Sequence, residues 1–246
     1  MHNFEDDNGT ADAGYLTAVT ALAEGSGDEA AVVRALASAR VFVPIVAQLA
    51  EEGEGAEGLQ ADKQADMALV TLNASGGRRA LPVFSSVEAL GRWHAGARPV
   101  AVYAARAALS AVAEGADLMV VDPGSDITFV VRRPAVWSLA QQRDWRPSYA
   151  DPELARIVAA SAAGYPHVRR VELHPGGGVG SATARGALLQ GGGAGPELRV
   201  VLYLEDGLDA SGVQAVIAGM NSDWARNELF AERVDSIEIK LRRAIE

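Results

Sequence analysis

The chain has no cysteine, only two lysines (Lys63 and Lys240), and no apolar run approaching the length of a membrane span. The first absence removes disulfides, thiolate metal sites and cysteine nucleophiles together. The last removes a transmembrane helix, which needs about 20 consecutive apolar residues. An export signal is missing too. Met1-His2-Asn3-Phe4-Glu5-Asp6-Asp7 is acidic and polar, without the basic and apolar blocks of such a signal. A cytoplasmic location is the expectation that follows. Scarce lysine beside abundant Ala, Gly and Val reads as a compositional bias and carries no function.

What is present is a 246-residue chain in which 49% of residues are hydrophobic. That suffices for one large domain or two of about 100 residues each. The charge is lopsided. Residues 1–62 hold 12 acids and two bases, whereas residues 63–246 hold 20 of each, so the whole net charge of −10 lies in the first quarter. Such a segment repels nucleic acid and anionic membrane and suits a basic protein partner. The plainer reading is a solvated tail and loop that keep the protein soluble.

Residues 1–27 carry few large apolar groups and read as an acidic, poorly ordered tail. A helix is predicted from Asp28, with Val32, Val33 and Leu36 on one face. Val41–Val46 is dense in strand formers, and Pro44 predicts an edge or an interruption there. Residues 51–62 form an acidic loop. Met67–Leu72 and Leu81–Phe84, joined by Asn73-Ala74-Ser75-Gly76-Gly77-Arg78, read as a hairpin. Ser85-Ser86-Val87-Glu88 has capping-box spacing with Ser85 as N-cap. Strands are predicted at Val100–Tyr103, Leu118–Val121 and Ile127–Val131, with a turn at 122–126. The polar stretch 143–150 reads as a linker, and Asp151-Pro152 as a helix start. Beyond it come strands around Val171–Leu173, Leu198–Leu204 and Ile237–Leu241, and a helix capped by Asp209. The fold class is α+β or mixed α/β in two small domains, 28–142 and 151–246.

The passage Val33 to Val46, the strand Ala68–Leu72, the segment Arg79-Ala80-Leu81-Pro82-Val83-Phe84-Ser85-Ser86-Val87-Glu88-Ala89-Leu90 and the turn Val121-Asp122-Pro123-Gly124-Ser125-Asp126 together resemble the N-terminal domain of the SseB family. The resemblance covers about 28–142. The second half is similar in plan to the family's C-terminal domain, with a Gly-rich insertion at 176–193. The resemblance implies little chemistry, and it brings no established reaction or catalytic residues to carry over.

No motif commits to chemistry. His174-Pro175-Gly176-Gly177-Gly178-Val179-Gly180-Ser181 could cradle a phosphate on backbone N–H groups, but the third dinucleotide glycine is replaced by Thr183 and no Gly-Lys-Ser/Thr follows. His2, His94, His167 and His174 have no metal-ligand spacing. There is no Gly-x-Ser-x-Gly. Asp122 and Asp126 read as turn acids. Arg78-Arg79, Arg132-Arg133, Arg169-Arg170 and Arg242-Arg243 are pairs, not a basic stripe with interleaved aromatics. Trp93, Trp137, Trp145 and Trp224 read as core or boundary residues, with Trp145 the candidate for a partner contact.

The expectations are therefore no catalytic, cofactor-binding or metal residues, no cofactor, no nucleic acid and no membrane. A non-enzymatic binding or regulatory protein with an unidentified, basic protein partner is the leading reading. The rival is a small-metabolite sensor or enzyme with a site between the domains. An ordered, arginine-lined cleft between them would favour the rival.

Overall fold

Aspartates set four of the eight helix starts among the described residues. Asp12, Asp28, Asp151 and Asp209 stand in extended conformation, and their carboxylates accept the N–H groups of Tyr15, Ala31, Glu153 and Gly212. Each satisfies a donor that the first helical turn leaves without a partner. They begin α1 (Ala13–Ala23), α2 (Glu29–Ser38), α6 (Pro152–Ala162) and α7 (Ala210–Ala225). The computed structural model describes residues 4, 6–48, 66–73, 77–178, 180–182, 188–190 and 195–244.

The first half holds two sheets. In one, β1 (Arg40–Gln48) lies between β2 (Asp66–Leu69) and β5 (Arg98–Tyr103), antiparallel to both. In the other the order is β3 (Leu72–Asn73), β4 (Arg79–Val83), β6 (Leu118–Val121) and β7 (Phe129–Val131), with β4 and β6 parallel. A bridge from Phe42 to Phe84 joins the sheets. Against them pack α1, α2, α4 (Ala104–Ala113) and α5 (Arg133–Ala140), burying Tyr15, Val32, Leu36, Leu81, Met119, Phe129 and Leu139 in one core. A short helix, α3 (Val87–Trp93), closes a smaller cluster around Phe84 and Leu90.

The second half has its own core. Here β11 (Leu198–Leu204) is antiparallel to β8 (Val168–Pro175) and parallel to β12 (Ile237–Arg243). Leu198, Val200, Leu202 and Leu204 alternate inward, as the period of two requires, onto Leu154, Val158, Met220, Trp224 and Phe230 of α6, α7 and α8 (Glu228–Arg233). A hairpin of β9 (Gly180–Ala182) and β10 (Leu188–Gln190) projects from the glycine-rich stretch and lies near α1. Among the described residues no helix is long and apolar enough to cross a membrane. The fold is mixed α+β.

Four local expectations change. Residues 1–27 are not a tail as a whole: α1 presents Tyr15, Val19 and Leu22, a helical i, i+4, i+7 face, and all three are buried. Asp7 is also fixed, by two bonds from Arg40. β1 is a central strand despite Pro44. The ladder to β2 starts only at Ile45, and on the other side Pro44 faces Pro99, so two residues lacking an N–H oppose each other. The expected single strand 67–72 divides between the two sheets: β2 pairs with β1, and only β3 forms the hairpin with β4. Finally, Ser86 rather than Ser85 caps α3, accepting the Ala89 N–H. The acidic loop 51–62 lies outside the described residues.

Candidate functional site

Where the two halves meet, one set of arginines is engaged with the chain itself. Arg132, at the start of α5, is 3% exposed. It donates to the carbonyls of Gly178 and Gly195 at 2.6 and 2.9 Å and to the Asp235 carboxylate at 3.0 Å. Arg78 reaches the same Asp235 oxygen at 2.9 Å. Arg133 donates to the carbonyls of Ala231 and Val234 at the end of α8. Beside them the buried Glu197 accepts the Ser148 hydroxyl at 2.8 Å and the Asp235 N–H at 2.9 Å. Burial pushes the Glu197 carboxyl up, against the opposing pull of those bonds. This is a lock between the halves, because both terminal nitrogens of Arg132 and the carboxylates of Asp235 and Glu197 are bonded across it; among the described residues the buried Arg132 Nε–H lacks an acceptor.

Along α5 from this lock lies a cleft of about 890 Å³. Its walls come from five places in the sequence: α2, α5, the connector 143–150, α6 and α8. Arg34, Arg143, Arg146 and Arg156 all line it and are exposed, and among the described residues none makes an ion pair or a side-chain hydrogen bond. Trp137 lies among them with 46% of its surface exposed. The indole N–H of Trp145, also lining the cleft, is buried without a hydrogen-bond partner.

The floor is rigid. Asp151 caps α6 and takes Arg233 at 2.8 Å, and Glu153 takes the same guanidinium at 3.0 Å. Burial pushes the Asp151 carboxyl up, but the bonds from Arg233 and the Glu153 N–H outweigh it and hold its pKa below the usual aspartate value. The Tyr149 hydroxyl donates to Glu29 at 2.6 Å, pinning the connector to α2. Burial and then the Glu29 charge drive that phenol's pKa far upward, so it stays a neutral donor.

Five acids and five bases line the cleft, so its long-range field is weak. The acids, however, are mostly committed. Asp28 caps α2, while Asp151 and Glu153 hold Arg233. Four guanidiniums remain against two uncommitted carboxylates, Asp144 and Glu232. Arginine presents five N–H donors in a planar fork that matches carboxylates, and it stacks on aromatic faces. The cleft can thus recognise carboxylates and flat rings at short range. Of its lining hydroxyls, Ser138 donates to the Pro134 carbonyl and Tyr149 to the Glu29 carboxylate, and the buried carboxyls with raised pKa, Glu197 and Asp122, are not among its lining residues.

The residues singled out from sequence are mostly engaged elsewhere. In the glycine-rich stretch, Gly176 N–H donates to the Glu197 carbonyl, Gly178 N–H to the Pro196 carbonyl and Gly177 N–H to the Glu238 side chain. Those donors are spent on the chain itself and cannot cradle a phosphate. His167 stands 3.6 Å from Glu205 and His174 3.1 Å from Glu172, in separate contacts. Among the described residues no three potential metal ligands converge. Asp122 is buried with a left-handed φ of 52° and accepts the Ser85 N–H at 2.7 Å, tying β4 to the turn after β6. Both residues read from sequence as turn and cap are therefore a structural tie. The exposed tryptophan in the cleft is Trp137, where sequence pointed to Trp145. Its place in α5 between buried Val136 and Leu139 hid it.

A mixed α+β protein with an arginine-lined cleft between two cores is the class that fold and site define. The family model for the SseB protein N-terminal domain matches residues 16–138, half of the chain, and the protein belongs to the SseB family. The match starts inside α1, upstream of the 28–142 resemblance, in keeping with the helix that replaces the expected tail. No curated protein and no solved structure matches the chain.

Proposed function

We propose that this SseB-family protein is a non-enzymatic binding protein whose cleft takes a segment of a partner protein rich in carboxylates and carrying an aromatic side chain. The observation that carries the reading is the convergence of Arg34, Arg143, Arg146 and Arg156, none with a partner among the described residues, around the half-exposed Trp137. Solvated arginines are common on surfaces, but four of them on one concave, aromatic wall are a recognition pattern. Arginine and tryptophan are also the residues that dominate binding energy at interfaces.

The rival reading, a sensor or enzyme for a small metabolite, draws on the same arginines, and an arginine-lined cleft between the halves is the feature expected to favour it. The cleft volume is within the range of roughly 300–1,000 Å³ seen for small ligands. Such pockets are predominantly apolar, however, and this one carries ten charged side chains, which favours a polar polypeptide. The basic partner expected from the acidic first quarter is a separate contact. Asp7 and Asp12 are engaged with Arg40 and the start of α1, so that contact would fall to Glu51, Glu52, Glu54 and Glu57.

Selection from a random peptide library on the immobilised full chain tests the cleft reading. Acidic peptides with an aromatic residue should be enriched. They should lose binding to a chain carrying Arg34→Glu, Arg143→Glu, Arg146→Glu and Arg156→Glu. Enriched peptides that bind this variant as well as the parent would remove the cleft from the account.

A further inference from the structure

The sheet of the second half ends on β12, and no described strand pairs with its outer edge. An unpaired edge is a row of backbone donors and acceptors ready to bond another strand. This edge is not guarded by proline, and it is not short: β12 runs seven residues, Ile237 to Arg243. Leu241, its fifth residue, is 44% exposed.

The sequence of this edge is complementary to its own reverse. It reads Ile237-Glu238-Ile239-Lys240-Leu241, that is apolar, acid, apolar, base, apolar. Laid antiparallel on a second copy about a two-fold axis at Ile239, each residue meets a suitable partner. Glu238, whose Oε1 takes Arg199 and the Gly177 N–H and whose Oε2 stands 3.7 Å from Lys240 of its own chain, stands opposite the second copy's Lys240, twice by symmetry. Ile237 stands opposite Leu241, again twice, and Ile239 meets itself. Opposed charges and apolar pairs at directly facing positions each stabilise a sheet, and like charges there destabilise it. Shifting the axis to Lys240 would put two lysines face to face. An axis between residues would oppose core-facing and solvent-facing side chains, because alternate residues point to opposite faces.

We propose that β12 pairs with β12 of a second copy in this register, joining two three-stranded sheets into one of six strands in a two-fold dimer. The arrangement is self-complementary, as a two-fold interface requires. It keeps the helices of both copies on the same side of the sheet, where Ile237 and Ile239 already pack against the core of α6, α7 and α8. It also brings Leu241, which lies beyond the covered part of the strand, beside the second copy's Ile237. This surface lies apart from the cleft and does not depend on what the cleft binds.

Sedimentation of the full chain over a concentration series tests it. A reversible monomer–dimer equilibrium is expected. Lys240→Glu, at a side chain 58% exposed, sets glutamate against Glu238 of the other copy at two places and should weaken dimerisation by about tenfold or more. The cysteine-free sequence allows a second, geometric test. Ile239→Cys should form an intermolecular disulfide under mild oxidation, since the residue meets itself, whereas Lys240→Cys, which faces residue 238, should form far less. A chain that stays monomeric at every concentration overturns the proposal. So does a dimer indifferent to Lys240→Glu, and so does cross-linking through residue 240 in preference to 239.

Discussion

Two sets of arginines lie where the halves meet, and they differ in one respect. Arg78, Arg132 and Arg133 spend their donors on Asp235 and on carbonyls of the second half. Arg34, Arg143, Arg146 and Arg156 spend none on the described residues. The first set is buried or half-buried and holds the halves together; the second is exposed in a concave wall beside Trp137. The comparison teaches that an arginine cluster has no meaning until its partners are counted. Counted, one cluster is structure and the other is available for recognition.

The comparison breaks most visibly at Asp235. Its side chain is 4% exposed and serves both Arg78 and Arg132. Removing one partner of a buried ion pair leaves uncompensated charge and costs about 3–5 kcal/mol. Asp235→Ala should therefore lower stability by about that amount in a denaturant titration. A loss comparable to that of an ordinary surface substitution would mean the lock is not buried as described.

Asp151 sits between the two behaviours, since it is a buried cap that also holds an exposed arginine. Asp151→Ala should cost about 1–2 kcal/mol, the value of a lost cap. The sign of its pH dependence follows from its depressed pKa: the stabilisation is full above the unfolded value of 3.8 and is lost as pH falls through the folded value. Glu197 runs the other way. Its folded pKa is raised above 4.5, so the folded chain binds that proton more tightly and the buried carboxylate penalises folding at neutral pH. As pH falls from neutral towards 4.5, wild type should gain stability relative to Glu197→Gln. Parallel pH profiles for the two proteins would show that this carboxyl is not perturbed.

Smaller still is the expected effect of the cleft arginines on folding. Reversing all four should change stability by no more than about 1 kcal/mol, because exposed charges without partners contribute little. A large loss would place them in the structural set and end the distinction. The smallest effect concerns the acids Glu51, Glu52, Glu54 and Glu57. Neutralising them should leave the thermal melt unchanged and reduce the salt dependence of association with any basic protein, since excess charge acts over a screening length of about 8–10 Å. Unaltered salt dependence would assign the segment to solubility alone.

The capped helices were legible in the sequence because an aspartate, a following apolar stripe and a proline are local signals; α2, α6 and α7 begin where those signals stand. α1 was hidden because Tyr15, Val19 and Leu22 are few and lie among glycines and acids, so its helical face was outweighed by composition. The cap at Ser86 was misplaced by one residue because adjacent serines offer the same hydroxyl, and only the bond from Ser85 to Asp122, 37 positions away, decides between them. A site between the halves was among the expectations, but the residues that form the cleft were not legible. Arg34 and Arg156 are brought together by the packing of both halves around the connector, and no periodicity or spacing encodes that meeting. Equally, nothing local distinguishes Arg132 from Arg143; their partners do.

The most direct test of the cleft is a tryptophan fluorescence titration of the full chain with a glutamate-rich peptide containing one tyrosine, at low and at moderate salt. Trp137 and Trp145 line the site, so occupancy should change the emission, and the change should saturate. Because the cleft's lining charges balance, affinity should fall only modestly with salt, and the response should vanish in the chain with the four arginines reversed. A saturable response that persists in that variant, or none in the parent, would contradict the assignment of these arginines to partner recognition.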